Sequence, residues 1–301
     1  MIDLPRAVWL PILLGIVLRT RPRASALLYQ KIWTPEGSPL LVTTERQAKL
    51  LESRLRAAGH DARVLTAMRY GDPSIASALA TLAADGIDRI LAFPMYPQYA
   101  GATTGSSLER LFALVQTSRV VPTIRVVPPY YADAPYISAL AAVTRESVAA
   151  LAEPPEQCLL SFHGLPARYA SEGDPYPKHC HETARLVETA LGWPATKFVT
   201  TFQSRFGREE WLQPYTDRTL EELGRAGTRV AVACPGFTAD CLETLEEIGL
   251  RGAEQFHEAG GRAFHRIPCL NDHPAWMDAM TAIACRELAG WATGQWGTIA
   301  V

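Results

Sequence analysis

"RVLTAMRYGDPSIASALATLAADGIDRILAFP", residues 63–94, joins two apolar runs through a turn at Gly71 and Pro73 and a helical pattern that Gly86 brings to a stop. Neither run alternates apolar with polar residues, as expected of strands covered on both faces. A glycine just past a periodic segment ends a helix. The stretch therefore reads as strand, helix, strand, and that order implies a parallel sheet.

Working outward, the same pattern recurs. Further strands are expected at "IRVVP" (124–128), "CLLSF" (158–162), "KFVTTF" (197–202), "RVAVA" (229–233) and "AFHRI" (263–267). Helical patterns lie between them: "TERQAKLLESRLRAAG" stops at Gly59, and "HETARLVETALG" and "RTLEELGRAG" end on glycine too. With the two runs above, seven strands over this length suggest an α/β protein of two doubly wound, Rossmann-like domains with parallel sheets. The boundary is placed where proline and tyrosine cluster in "PPYYADAPY" (128–136), which divides the chain into 1–130 and 131–301. One feature does not fit: no strand is found before residue 63, although a doubly wound domain normally opens with one.

Composition excludes several classes. The 301 residues are 48% hydrophobic and 20% charged, an ordinary globular balance that can bury a large core. Twenty-nine basic against 31 acidic side chains leave a net charge of -2, so nucleic acid is not an expected partner. The six cysteines form no C-x-x-C pair, zinc-finger spacing or secretory framework, and a reducing cytoplasm fits them. The N-terminal "AVWLPILLGIVLRTRPR" (7–23) is interrupted by Pro11 and Gly15, too short to span a bilayer, and lacks the small-residue cleavage site of a signal peptide. It reads as a surface-lying or buried apolar segment.

In open α/β sheets ligands bind beyond the carboxyl ends of strands. There the chain places His163-Gly164 after "CLLSF", Arg205, Trp211 and Tyr215 after "KFVTTF", Tyr96 and Tyr99 with a Gly/Ser/Thr-rich turn after "RILAFP", and Met68-Arg69-Tyr70 after the first run. After "RVAVA" comes "CPGFTADCLETLEE" (234–247), with four carboxylates in eight positions. Asp240, Glu243 and Glu247 share one face if the segment is α-helical, whereas Glu246 falls off that line. Asp240 as N-cap with Glu243 as capping acid is the plainer reading of the same residues. An imidazole with carboxylates suits a borderline divalent metal or proton transfer near neutral pH, and aromatic walls suit a large flat apolar ligand. No phosphate loop, GxGxxG, GxSxG or HExxH is present.

The segments "GSPL" (37–40), "MRYGDPS" (68–74), "YPQYAGATTGSS" (96–107), "SFHGLPARYASEGDPYP" (161–177), "TTFQSRFGREEWLQPYTD" (200–217), "CPGFTADCLETLEE" and "IPCLND" (267–272) together resemble the bacterial ferrochelatases, in order and over almost the whole chain. That family inserts ferrous iron into protoporphyrin IX to form protohaem. The resemblance implies that His163 and Glu243 are the catalytic and metal-site pair, with Asp240 and Glu247 on a proton or metal path. Arg19, Ser38, Arg69, Tyr70, Tyr96, Tyr99, Trp211 and Phe237 resemble substrate-binding positions, and the N-terminal apolar segment resembles the family's hydrophobic lip. The family's first strand has no counterpart ahead of "IDLP", which would account for the late first strand.

Arg251 stands where some relatives carry an acid, so a second, peripheral metal site is not expected. Gly101 and the lack of cysteine after Cys285 imply no iron-sulfur cluster, and no permanently bound cofactor is expected, ferrous iron being a substrate. The implied protein is a cytoplasmic monomer with porphyrin and iron as partners. Contact with the inner face of the membrane, or with an upstream porphyrin-producing enzyme, is left open. A coproporphyrin or other tetrapyrrole chelatase, and a tetrapyrrole or metal carrier without turnover, are the alternative functions.

Overall fold

The computed structural model describes Leu14, residues 25–207 and 209–291, and the backbone of 296–300. Arg19 and most of the lip segment lie outside the described residues. All seven expected strands form within a residue or two of their apolar runs: β1 Ala62–Thr66, β2 Arg89–Phe93, β3 Thr123–Val126, β4 Gln157–His163, β5 Phe198–Gln203, β6 Arg229–Ala233 and β7 Ala263–Arg266. An eighth, β8 Trp296–Ala300, was not expected.

The strands build two parallel four-stranded sheets, ordered β1-β8-β2-β3 and β5-β4-β6-β7. The connection from β1 to β2 skips one strand position, and β8 fills it, with Ala300 in register with Thr66 on one side and Phe93 on the other. Without a strand there, β1 and β2 would face each other with unpaired N–H and C=O groups. Among the described residues no strand precedes β1, and the central place that an opening strand would take is held by a C-terminal one. The chain thus crosses back into the first sheet after completing the second.

Among the described residues the helices include α1 Pro39–Ala57, α2 Ile75–Ala84, α3 Ser106–Gln116, α4 Ala134–Ala149, α5 Ala167–Ser171, α6 Tyr176–Leu191, α7 Thr216–Arg225, α8 Ala253–Glu258 and α9 Pro274–Leu288, and residues 25–30 are helical as well. Helix α2 starts where the Ser74 hydroxyl accepts the Ser77 N–H, a side-chain cap for an otherwise orphaned donor. Helices α4 and α9 pack on each other within one core that also holds Leu91 and Phe93 of the first sheet and Leu160 and Phe162 of the second. Tyr130 stacks on the fully buried Trp276 of α9 at 6.0 Å. Burying a large apolar side chain contributes about 1.5–3 kcal/mol, so these two helices join the sheets firmly.

The acidic segment departs from expectation. Glu243–Gly252 is a π-helix, whose i→i+5 bonding widens each turn. The common α-helical face foreseen for Asp240, Glu243 and Glu247 therefore does not form. Asp240 is not the N-cap either, since Leu242 holds that place and no side chain caps the helix.

Candidate active site

The carboxyl ends of both sheets border a cavity of about 290 Å³. Its walls are mainly apolar, with Leu40, Met68, Met95, Tyr96 and Phe237 among them, and His163 and Glu243 bring an imidazole and a carboxylate. Four expected site residues thus meet here: His163, Glu243, Tyr96 and Phe237.

His163 closes β4, and its ring Nδ1 lies 2.7 Å from the carbonyl oxygen of Gly164. A carbonyl only accepts, so Nδ1 carries a proton toward it, and in the neutral tautomer this leaves the lone pair on Nε2. Gly164 is required for the turn that follows: a Cβ there would lie 2.8 Å from Gln203 O and 3.2 Å from the Trp211 ring. What approaches this glycine is the protein's own β5 and Trp211. Trp211 is accordingly buried against Gly164, packed on Phe206 at 4.8 Å, and is not among the residues lining the cavity.

Glu243, at the start of the π-helix, is hydrogen-bonded by the Cys241 thiol. Burial first, then the nearby Glu243 charge, pushes that thiol well above its usual range, which keeps it a donor. Burial also raises the Tyr96 phenol, helped by Tyr70, Cys241 and Glu243, so Tyr96 presents an O–H to the cavity.

The other two acids go elsewhere. Asp240 Oδ1 takes the Arg266 guanidinium at 2.7 Å and the Thr244 hydroxyl at 2.9 Å, and Oδ2 takes the Asn271 amide at 2.8 Å. With all these partners it anchors the loop below the π-helix and does not line the cavity. Glu247 accepts from Ser204 N at 2.8 Å and Ser204 Oγ at 2.5 Å, and lines a second, small cavity with Arg251 and Asp217. Glu246, off the expected line, is buried and paired with Lys31 and Arg251.

Arg69 and Tyr70 line an adjoining depression that shares Met68 with the main cavity. There Arg69 lies 4.6 Å over the Tyr70 ring and donates to Ser106. Tyr99 donates its backbone N–H to His179 and stands outside the cavity lining. Ser38 sits at the N-cap of α1, two positions before the lining residue Leu40. Sequence reasoning missed Gln98, Thr103, Tyr176 and Thr238 as wall residues. The only signal for Gln98 was a polar residue inside an otherwise aromatic "YPQY". Among the described residues no group of three or more His, Cys, Asp and Glu could hold a metal, and no helix is long and apolar enough to cross a membrane.

The ferrochelatase family model matches residues 1–288. The ferrochelatase of Methylibium petroleiphilum is 51% identical over 293 residues, covering 97% of this chain and 80% of that protein. The ferrochelatase of Mesorhizobium japonicum is 49% identical, covering 96% of this chain and 83% of that one. Among solved structures, SirB from Bacillus subtilis with Fe3+ superposes with a TM-score of 0.61 at 15% identity, covering 85% of this chain and 93% of that chain. A multi-domain Deinococcus radiodurans protein described as similar to chelatases gives 0.57 at 17% identity, covering 83% and 53%. These two likenesses bear on the fold, which is α/β with two parallel sheets of chelatase type. The match to the family model and to the two curated relatives over nearly its whole length shows that this chain belongs to the ferrochelatase family.

Proposed function

We propose that this chain inserts ferrous iron into protoporphyrin IX, releasing protohaem and two protons, at the cavity shared by His163 and Glu243. The single observation that carries this reading is that an imidazole, held through Nδ1 by a main-chain carbonyl, and a carboxylate line one apolar-walled cavity. Metallation must remove two pyrrole N–H protons and bring a desolvated cation to the ring nitrogens. His163 Nε2 accepts pyrrole protons, a general-base role typically worth ~10²–10⁴ in rate. Glu243 holds or guides the cation and passes protons outward toward Glu247, while Asp240 fixes the loop that carries them. Tyr96, Phe237, Met68 and Met95 clasp the macrocycle, and Arg69, Tyr70 and Ser38 stand at its rim, near the porphyrin's acid groups. Two donors without a third suit a metal that is passed on rather than kept.

The mainly apolar walls of the cavity suit protoporphyrin better than coproporphyrin with its additional carboxylates. Leu27, Tyr29, Trp33 and Leu40 expose apolar surface, and Tyr29 lies close enough to feel the Glu243 charge. We take this as the entry side, where an apolar porphyrin passes from a membrane surface or a supplying enzyme to a cytoplasmic monomer. The stretches 1–130 and 131–301 act as the two jaws, with β8 tying the second back to the first. The test is anaerobic mixing with ferrous iron and either porphyrin, followed by absorption spectroscopy. Protoporphyrin should be metallated at least about tenfold faster, and His163→Ala should lose ~10²-fold or more. A near-normal rate in that variant would remove the proposed role.

A further inference from the structure

Gln203 is not among the groups to which the proposed reaction assigns a step, yet it touches both sides of the site. It ends β5, in register with His163 at the end of β4, and its carbonyl oxygen accepts the Gly164 N–H at 2.7 Å. Its side-chain Nε2 donates to the main-chain oxygen of Glu243 at 3.1 Å. One buried residue therefore holds the turn behind the imidazole through its backbone and the first residue of the π-helix through its side chain.

The amide has only one workable orientation. Its Oε1 accepts from Ser161 Oγ at 2.7 Å and from the Cys234 thiol at 3.6 Å. Ser161 Oγ is in turn 2.8 Å from Thr216 Oγ1, itself 2.9 Å from Thr201 Oγ1, and with the Ser161 proton directed at Oε1 the hydroxyl protons run from Thr201 to Thr216 to Ser161. All these side chains are buried, so water does not substitute for a lost partner. Burial pushes the Cys234 thiol up, which keeps its proton as a donor toward Oε1. With two donors facing the oxygen, the NH₂ group must face Glu243, and a relay of side chains from α7 and β4 fixes it there.

The Glu243 carbonyl occupies the first position of a π-helix, whose wide turns are irregular, and the Gln203 amide ties it to β5. We propose that Gln203 is a positioning residue that sets the Glu243 carboxylate against the His163 imidazole by anchoring the head of the π-helix to the strand pair bearing His163. The proposal rests on the reading of Glu243 given above. It makes the spacing of the two reacting groups a property of β4 and β5, not of the helix itself. Misplacement of a reacting group by about 1 Å can cost ~10²-fold in rate.

The experiment compares zinc insertion into protoporphyrin by the full chain with that of Gln203→Met, Ser161→Ala and Glu243→Gln, alongside porphyrin affinity by fluorescence. Gln203→Met keeps length and volume but removes all three side-chain hydrogen bonds, and should lower kcat about 10–100-fold while porphyrin Kd stays within about twofold. Ser161→Ala removes one of the two donors that orient the amide and should lower kcat about 3–10-fold, also without change in porphyrin Kd. A folded Gln203→Met enzyme with kcat near wild type overturns the proposal. So does a loss of porphyrin affinity in step with kcat, because that marks a collapsed pocket and not a displaced carboxylate. If Gln203→Met does not fold, Ser161→Ala decides by the same two readouts. Glu243→Gln separates the levels: if it keeps the wild-type rate, the reading of Glu243 itself is lost, whereas an inactive Glu243→Gln beside an active Gln203→Met sinks only the positioning role.

Discussion

The two sheets share one layout and fill its centre differently. In the second, β4 is the first strand of its unit, takes an inner place between β5 and β6, and ends in His163. In the first, the corresponding place between β1 and β2 goes to β8, the last strand of the chain. An inner position in a parallel sheet is thus defined by the hydrogen-bonding groups it must satisfy, and either end of a chain can supply them. The second sheet carries His163, Gln203 and the run-up to Glu243 on strands contiguous in sequence. The first supplies cavity walls such as Met68 and Tyr96 from strands held together by a segment distant in sequence.

That contrast can be broken most directly by deleting residues 292–301. Two inner edges would be exposed, and the first half should lose most of the ~5–15 kcal/mol that holds a domain, seen as loss of the cooperative thermal transition or of soluble protein. A deletion variant that melts like the full chain would show that β8 is dispensable to the first sheet.

Next in size, Glu243→Gln should reduce metallation about 10²-fold or more while leaving thermal stability nearly unchanged. Asp240→Ala should do the opposite. Removing one partner of the half-buried Arg266 pair costs about 3–5 kcal/mol, read from a urea midpoint, with kcat per folded molecule changed by less than about threefold. Equal rate losses in the two variants would restore Asp240 to the reaction.

The smallest effect concerns pH. Burial lowers the pKa of His179, whose ring accepts the Tyr99 N–H, and of His265, where Arg266 adds to the effect. Both are held neutral in the folded protein. The stability this brings is present above the unfolded-state value near 6.5 and is lost as pH falls through the lower folded values. Unfolding free energy should therefore decline below about pH 6.5, and His179→Asn should flatten part of that slope.

How much of this was legible depended on whether the signal was local. Parallel strands buried on both faces leave apolar runs that can be read directly, and β1 to β7 were found. Helices α4 and α9 lie in the core between the sheets, with residues such as Tyr136, Leu140, Met277 and Met280 all buried, and so lack a clean single stripe to mark them. The acidic run was read with a 3.6-residue period, and the π-helix does not obey it. Trp211, expected among the substrate-binding positions from the resemblance, packs against Gly164, a close approach that no local pattern encodes.

The amino-acid sequence by itself determined the strand-helix alternation, because period and turn chemistry are properties of neighbouring positions, and its ordered segments carried the resemblance to the family, from which the pairing of His163 with Glu243 was expected. Only the tertiary structure decided that β8 enters the first sheet, that Asp240 belongs to Arg266 and Asn271, and that Gln203 joins β4 to the π-helix. Those outcomes depend on which buried donors and acceptors find partners across the fold, and no local pattern encodes that pairing.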